Sequence, residues 1–336
     1  MTDKSLVTVD DLTVKFVSRE ATVHAVSGVS FTLEKGEVLG ILCESGSGKS
    51  VTLRAMMRLL PPKKTLLSGR IEIANRDVMG LKDQELSQLR GATVAMIFQE
   101  PMTALDPVFT IGQQIVEAIV QHEGLSRSEA AVRALQLLDM VQIPSAKRRF
   151  DAYPHQLSGG LRQRAMIAIA LSCRPALLLA DEPTTALDAT VQIQILLLLR
   201  SLQQELGMAM IFVTHDLGVA VEVSHQIAVM YGGRFVESGA VADVVRQPRH
   251  PYTEGLMGST VHEVEKGARL TPIRGSPPNL AALPPGCSFA PRCPYVIAEC
   301  ERALPDLREI ASVGQYPHAT RCIQPERVGR RQAVNA

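Results

Sequence analysis

The sequence predicts an α/β fold, in which strands alternate with helices. Three observations carry that reading. "EVLGIL" (residues 37–42) is strand-like and runs straight into a glycine-rich loop that opens a helix. "ALLLADEP" (Ala176–Pro183) and "AMIFVTHD" (209–216) are continuous apolar runs, as expected of parallel strands buried on both faces. Between these strand-bearing parts, the middle of the chain shows apolar residues three and four apart, which is helical spacing.

The elements follow in order. "LVTVDDLTVKF" (Leu6–Phe16) and "VSFTL" (Val29–Leu33) read as strands. After the loop, "SVTLRAMMRLL" reads as a helix that Pro61 and Pro62 stop. "GRIEIAN" and "TVAMIFQ" are further strands, and "IGQQIVEAIVQH" and "SEAAVRALQLLDMV" are amphipathic helices. "TVQIQILLLLRSLQQELG" is a helix with Gly207 as its stop. "QIAVMYGGRFVESG" is a hairpin turning at Gly232 and Gly233. After Gln247 prolines crowd the chain, which predicts an irregular appendix and a domain boundary near residue 250.

Composition narrows the class. The 336 residues are 46% hydrophobic and 21% charged, a globular balance, with a formal net charge of +1 and no tryptophan. Neither a basic field nor aromatic stacking platforms point to nucleic acid as a partner. No apolar run approaches the roughly 20 residues of a membrane span. Met1–Asp11 is polar, without the apolar centre of a signal peptide, so a cytosolic location and reduced thiols are expected.

Four elements point to phosphate chemistry. "CESGSGKS" (43–50) fits G-x-x-x-x-G-K-[ST] except that Cys43 stands at its first position. Backbone amides and a helix N-terminus would cradle phosphates there, with Lys49 on the terminal phosphates and Ser50 on Mg²⁺. A glycine-rich surface turn is the bland alternative. Asp181 and Glu182 end a buried strand, where Asp181 would hold Mg²⁺ and Glu182 would polarise a water. "LSGGLRQR" (Leu157–Arg164) places Ser158, Gly159 and Gly160 at a second helix start, suited to an anion held by another subunit. His215 and Gln99 each end a strand, positioned for the γ-phosphate and for Mg²⁺ with its water.

These motifs, in this order over about residues 5–245, resemble the ATP-binding subunit of an ABC transporter: the P-loop, the Q-loop at Gln99, the signature "LSGGLRQR", "LLLADEPT", the D-loop "ALDA" (Ala186–Ala189) and the switch His215. The resemblance implies a RecA-like P-loop ATPase core with an N-terminal antiparallel β subdomain and an inserted helical subdomain at about residues 105–170. It also implies a head-to-tail dimer with ATP between one P-loop and the partner's signature. By position, Ser45, Gly46, Ser47, Gly48, Lys49, Ser50 and Val51 match the phosphate-contacting residues, Phe16 the adenine-stacking aromatic and Asp188 the D-loop acid. Leu161 is not expected to touch nucleotide. "FQEPMTALDPVFTIGQQI", "RHPYTEGLMGS" and "PPGCSFAPRCPYVIAEC" resemble the oligopeptide/dipeptide/nickel importer branch. That branch implies ATP-driven uptake in bacteria with two membrane permeases, an extracytoplasmic solute-binding protein and a second ATPase subunit, identical or different. The chain would sit peripherally on the cytoplasmic face of the inner membrane. Glu100, Met102 and Leu105 are expected near a permease coupling helix. A soluble ABC ATPase of translation or DNA repair is the alternative function.

The resulting division is an ATPase domain at 1–250 and an appendix at 251–336. Cys287, Cys293, Cys300 and Cys322 lie in the appendix at spacing C-x5-C-x6-C-x21-C, without the tight C-x2-C pairs common at zinc sites. The branch resemblance implies a [4Fe–4S] cluster on these four thiolates; zinc and unliganded thiols are the alternatives. His318 reads as a surface residue, with a substitute ligand as the other option.

Overall fold

The computed structural model describes residues 5–44, 46–185, 187–259, 272–310 and 316–329. In chain order the strands are β1 (Val7–Val17), β2 (Thr22–Leu33), β3 (Val38–Leu42), β4 (Thr65–Ile73), β5 (Arg76–Asp77), β6 (Val94–Ile97), β7 (Leu177–Asp181), β8 (Ala209–Thr214), β9 (Gln226–Tyr231), β10 (Arg234–Ala240), β11 (Arg308–Ile310) and β12 (His318–Thr320). The helices are α1 (Lys49–Met56), α2 (Asp83–Ala92), α3 (Pro101–Ala104), α4 (Ile111–Glu123), α5 (Arg127–Met140), α6 (Ala146–Phe150), α7 (Gly159–Leu171), α8 (Ala189–Leu206), α9 (Leu217–Val223), α10 (Val241–Arg246), α11 (Pro251–Gly258) and α12 (Ala298–Arg302). The α/β class expected from the sequence holds. Among the described residues no helix is long and apolar enough to cross a membrane.

The chain forms two compact units, one of residues 1–6, 33–37 and 73–211, the other of 7–32, 38–72 and 212–336. In the first unit, β6 and β7 pair in parallel with Val94 opposite Leu177 and Ile97 opposite Ala180. Every residue of both strands is buried. The helical part begins well capped. Thr110 and Ser126 each form a capping box with the residue three further on, Gln113 and Glu129. Ile111, Ile115 and Ile119 line the buried stripe of α4, spaced four apart as the sequence suggests.

In the second unit, strands run in the order β11-β12-β10-β9-β3 in one sheet and β2-β1-β4 in another. A tight turn from Ser18 to Ala21 joins β1 to β2, which makes that pair a hairpin. β3 and β9 are parallel, with Leu39 opposite Gln226. β9 and β10 form the expected hairpin, and Gly232 and Gly233 have φ of 57° and 75°. Two positive φ values in a row are what a tight turn of this hand requires, and glycine adopts them without steric cost.

Two expectations need correction. α1 stops at Met56, before the prolines. Arg58 adopts φ 48° and the Leu59 amide reaches back to the Arg54 carbonyl at 2.8 Å, so a left-handed turn closes the helix first. The appendix is not irregular throughout. It contributes α11 and the antiparallel pair β11–β12, with β12 added to β10 at Glu237 opposite Thr320. Tyr252 and Phe289 from this segment pack with Tyr231 in one buried cluster that includes Leu42 and Ile227. The Tyr231 and Phe289 rings meet edge to face at 5.2 Å between centroids.

Candidate functional site

The second unit carries the candidate phosphate loop. β3 is buried along its whole length and delivers the chain to Cys43, whose amide bonds the Thr214 carbonyl at 3.4 Å. Cys43 is 1% exposed and is not among the residues with positive φ. The strand-to-loop joint is therefore ordinary backbone that a small apolar side chain fills. Gly46 and Gly48 do require glycine-like backbone, with φ of 82° and 99°. A Cβ on Gly48 would lie 2.1 Å from the Ala25 carbonyl oxygen, whereas one on Gly46 would meet nothing within 4 Å. The loop is thus pinned at its downstream end and open in its middle, a cradle that side chains would fill. Gly48 is the N-cap of α1, whose first turn holds no acid, so no carboxylate competes for the positive end of the helix.

Ser47 and Lys49 are buried, while Ser50 and Val51 are half-buried. Ser45 lies outside the described residues. Phe16 is half-buried on β1. His215 is exposed immediately after β8, and the next residue, Asp216, caps α9 by accepting from the Gly218 and Val219 amides at 2.8 and 3.2 Å.

The first unit carries the acids and the signature. Because Ile97 stands opposite Ala180, the residues two further along each strand, Gln99 and Glu182, come side by side. The Gln99 amide donates to Glu182 Oε2 at 3.4 Å and the Thr185 hydroxyl donates to the same oxygen at 2.8 Å. Asp181 is 1% exposed at the end of β7, and Glu182 is 6% exposed with φ 45°. A glutamate in left-handed backbone is uncommon, and such strain clusters at functional turns. A buried carboxylate held this way can orient a water and take its proton. Sequence reasoning missed Thr185; its place three residues after Glu182 in "EPTT" was the available signal.

Ser158 caps α7 by accepting from the Leu161 amide at 3.4 Å, and Asp188 caps α8 by accepting from the Val191 amide at 3.0 Å. The two helix starts are neighbours: a Cβ on Gly160 would lie 2.8 Å from Val191 Cγ1, and one on Gly159 would lie 3.5 Å from Leu187 Cδ2. The structure therefore brings Ser158, Gly159, Gly160 and Asp188 to one corner of this unit, where all but the half-buried Gly160 are exposed. Glu100 and Met102 are exposed as a docking role requires, but Leu105 is 3% exposed and belongs to the core. Val108 and Phe109, unremarked in the sequence, are exposed at 69% and 46%.

The four late cysteines converge. Cys287, Cys293, Cys300 and Cys322 line one cavity of about 20 Å³ together with His250, Phe289, Tyr295 and Arg321. All four are free thiols. Burial, followed by the neighbouring sulfurs, pushes the Cys293 thiol up to about 12, and burial likewise raises Cys322 to about 11. No three His, Cys, Asp or Glu side chains among the described residues close around a single ion. His318 is not on the surface: it is 2% exposed and its Nε2 meets Glu237 at 2.8 Å. Glu237 also accepts from the Arg249 and His250 amides, so this buried group fastens β12 and the start of α11.

A glycine-shaped phosphate loop, a strand ending in buried acids and a capped glycine helix start define a P-loop nucleotide hydrolase. Comparison with known proteins narrows the class. A family model for ABC transporters matches residues 26–185, and one for the C-terminal region of oligopeptide/dipeptide transporters matches residues 236–300. The dipeptide transport ATP-binding protein DppD of Bacillus subtilis is 48% identical over 303 residues, covering 90% of each chain. The oligopeptide transport ATP-binding protein OppD of Salmonella typhimurium is 47% identical over 300 residues, covering 89% of each. Among solved structures, the ATP-binding cassette MJ0796, as a post-hydrolysis dimer bound to ADP and Pi, is 31% identical with a TM-score of 0.63, over 70% of this chain and 98% of that one. The chain belongs to the ABC transporter ATP-binding family and is an ATPase.

Proposed function

We propose that this chain powers the import of di- or oligopeptides through two membrane permeases, fed by an extracytoplasmic solute-binding protein and paired with a second ATPase subunit. One observation carries the reading: a single chain holds both the ATPase match and the oligopeptide/dipeptide C-terminal match. The same relatives favour transport over a soluble role in translation or DNA repair. The exposed Met102, Val108 and Phe109 supply an apolar face for a permease, at the cytoplasmic side of the membrane. The ATPase domain is residues 1–250, with its helical subdomain at about 105–170, and the appendix is 251–336.

ATP is the substrate of the cradle at Ser45–Val51, with Phe16 against the adenine and His215 on the γ-phosphate. Ser50, Asp181 and Gln99 would hold Mg²⁺, which neutralises charge developing on the transferred phosphoryl group. Glu182 takes the proton of the attacking water, and Thr185 and Gln99 keep its carboxylate oriented. Ser158, Gly159, Gly160 and Asp188 address the nucleotide of the paired subunit from helix starts.

In the appendix, the four thiols suit a [4Fe–4S] cluster better than zinc. Zinc gathers four donors at about 2.3 Å from one point, whereas the four thiols line the wall of one cavity. When bound, the cluster would tie the widely spaced Cys287, Cys293, Cys300 and Cys322 together. The test of the transport reading is ATP-dependent peptide uptake into vesicles carrying the permeases and this chain. Uptake that persists without the chain, or ATP hydrolysis indifferent to permeases and peptide, refutes it.

A further inference from the structure

The appendix reaches the entrance of the phosphate loop through two side chains, Tyr252 and Arg292, and Arg292 is the one that holds a carboxylate there. Arg292 ends a short turn, Ala290–Arg292, just before Cys293. Its guanidinium grips the Glu44 carboxylate with both prongs, NH1 to Oε2 at 2.9 Å and NH2 to Oε1 at 3.2 Å. NH1 also donates to the Tyr231 hydroxyl at 3.2 Å, NH2 to the Ile273 carbonyl at 3.4 Å and Nε to the Arg274 carbonyl at 2.9 Å. All five guanidinium N–H donors thus have acceptors, and the side chain is 5% exposed. A buried charge satisfied on every donor is geometry-specific in a way that a surface pair is not.

Glu44 is the residue that enters the loop. Its amide donates to the Tyr252 hydroxyl at 2.9 Å, so Tyr252 holds its backbone while Arg292 holds its side chain. One residue earlier, the Cys43 amide is tied to Thr214; two residues later, Gly46 is open. The upstream end of the cradle is therefore set by Glu44, whose carboxylate is set by Arg292 and whose amide is set by Tyr252. We propose that Arg292 is a positioning residue of the ATP site, acting through Glu44 to hold the phosphate loop in its receiving conformation. The rival role is purely structural: Arg292 anchors the appendix and the loop does not depend on it.

The inference rests on the assignment of residues 45–51 as the phosphate cradle, and the test separates the two. ATP affinity, KM and kcat are measured on the full chain for wild type, Arg292→Ala, Arg292→Lys, Glu44→Gln and the Ala/Gln double variant. Melting curves with and without ATP are recorded for each. Arg292→Ala and Glu44→Gln should each raise the KM for ATP about tenfold with kcat within about threefold, and the double variant should be no worse than either single one, the signature of a coupled pair. Arg292→Lys keeps the charge but loses the fork, and should fall between wild type and alanine. If Arg292→Ala lowers the melting point too far to assay, the Lys and Gln variants carry the same comparison. A wild-type KM in the Lys and Gln variants, or single effects that multiply in the double variant, overturns the positioning role. Wild-type protein that binds ATP as weakly as Lys49→Ala overturns the cradle assignment instead.

Discussion

The proposed phosphate cradle is a run of consecutive residues, Ser45 to Val51, while the cysteine cavity collects four thiols from positions as far apart as Cys287 and Cys322. As proposed, the loop would work mostly through backbone amides. It tolerates an unusual side chain wherever φ is ordinary, as at Cys43, and none where the backbone is left-handed and crowded, as at Gly48. A cluster in the cavity would be held through side chains alone, so each thiol would count and the backbone between them would be free to vary. A backbone site is written in local spacing, whereas a side-chain site is written in the tertiary fold.

The largest effect should come from Glu182. Glu182→Gln keeps size and the acceptor for Thr185 but removes the base. It should lower kcat by about 10² to 10⁴-fold while ATP binding persists, measured by turnover and by trapped nucleotide. Equal loss of binding would mean that Glu182 shapes the pocket and does not act on water.

Within the loop, Gly48→Ala should nearly abolish ATP binding. The new Cβ would sit 2.1 Å from a backbone carbonyl, which cannot move aside as a side chain could. Gly46→Ala has similar φ but open space, so it should suffer only the left-handed cost of roughly 1–2 kcal/mol. Nucleotide titrations that rank the two the other way would break the account of the loop as pinned downstream and open in the middle.

For the cavity, protein purified anaerobically should absorb near 400 nm and contain iron and sulfide, and Cys293→Ser should lose both. A colourless wild type with four titratable thiols and no metal would leave the cavity as a plain cysteine core. Either result bears on stability more than on hydrolysis, because this segment's side chains that touch Glu44 are Arg292 and Tyr252 and not a thiol.

The two regions also differ in how far the sequence announces them. Lys49, Asp181 and Glu182 could be named from spacing because a strand, a loop and a helix start are local events. The buried strands follow from the apolar runs 177–181 and 209–214, which are buried throughout. What escaped reading is long-range. Glu44 and Arg292 are 248 positions apart, and nothing in either neighbourhood marks a partner. His318 looked like a surface residue because its burial depends on Glu237 of another strand. Leu105 sits in a stretch of exposed residues, and only the packing shows that it turns inward. Thr185 was within reach, since its distance from Glu182 is a single turn.

The smallest effect should be at the position where the motif departs from its usual form. Cys43→Gly restores the glycine that the pattern prefers, yet the backbone there does not use positive φ. The variant gains no relief of strain and loses a small buried side chain, which is 1% exposed in the wild type. Added chain entropy of roughly 0.5–1 kcal/mol should leave it slightly less stable. Its KM for ATP should stay within about twofold of wild type, since the amides of the cradle begin beyond it. A gain in both stability and affinity would mean that Cys43 strains the hinge after all. For the same reason, an alkylating reagent should modify Cys43 slowly in the folded protein, because a thiol this deeply buried is out of its reach.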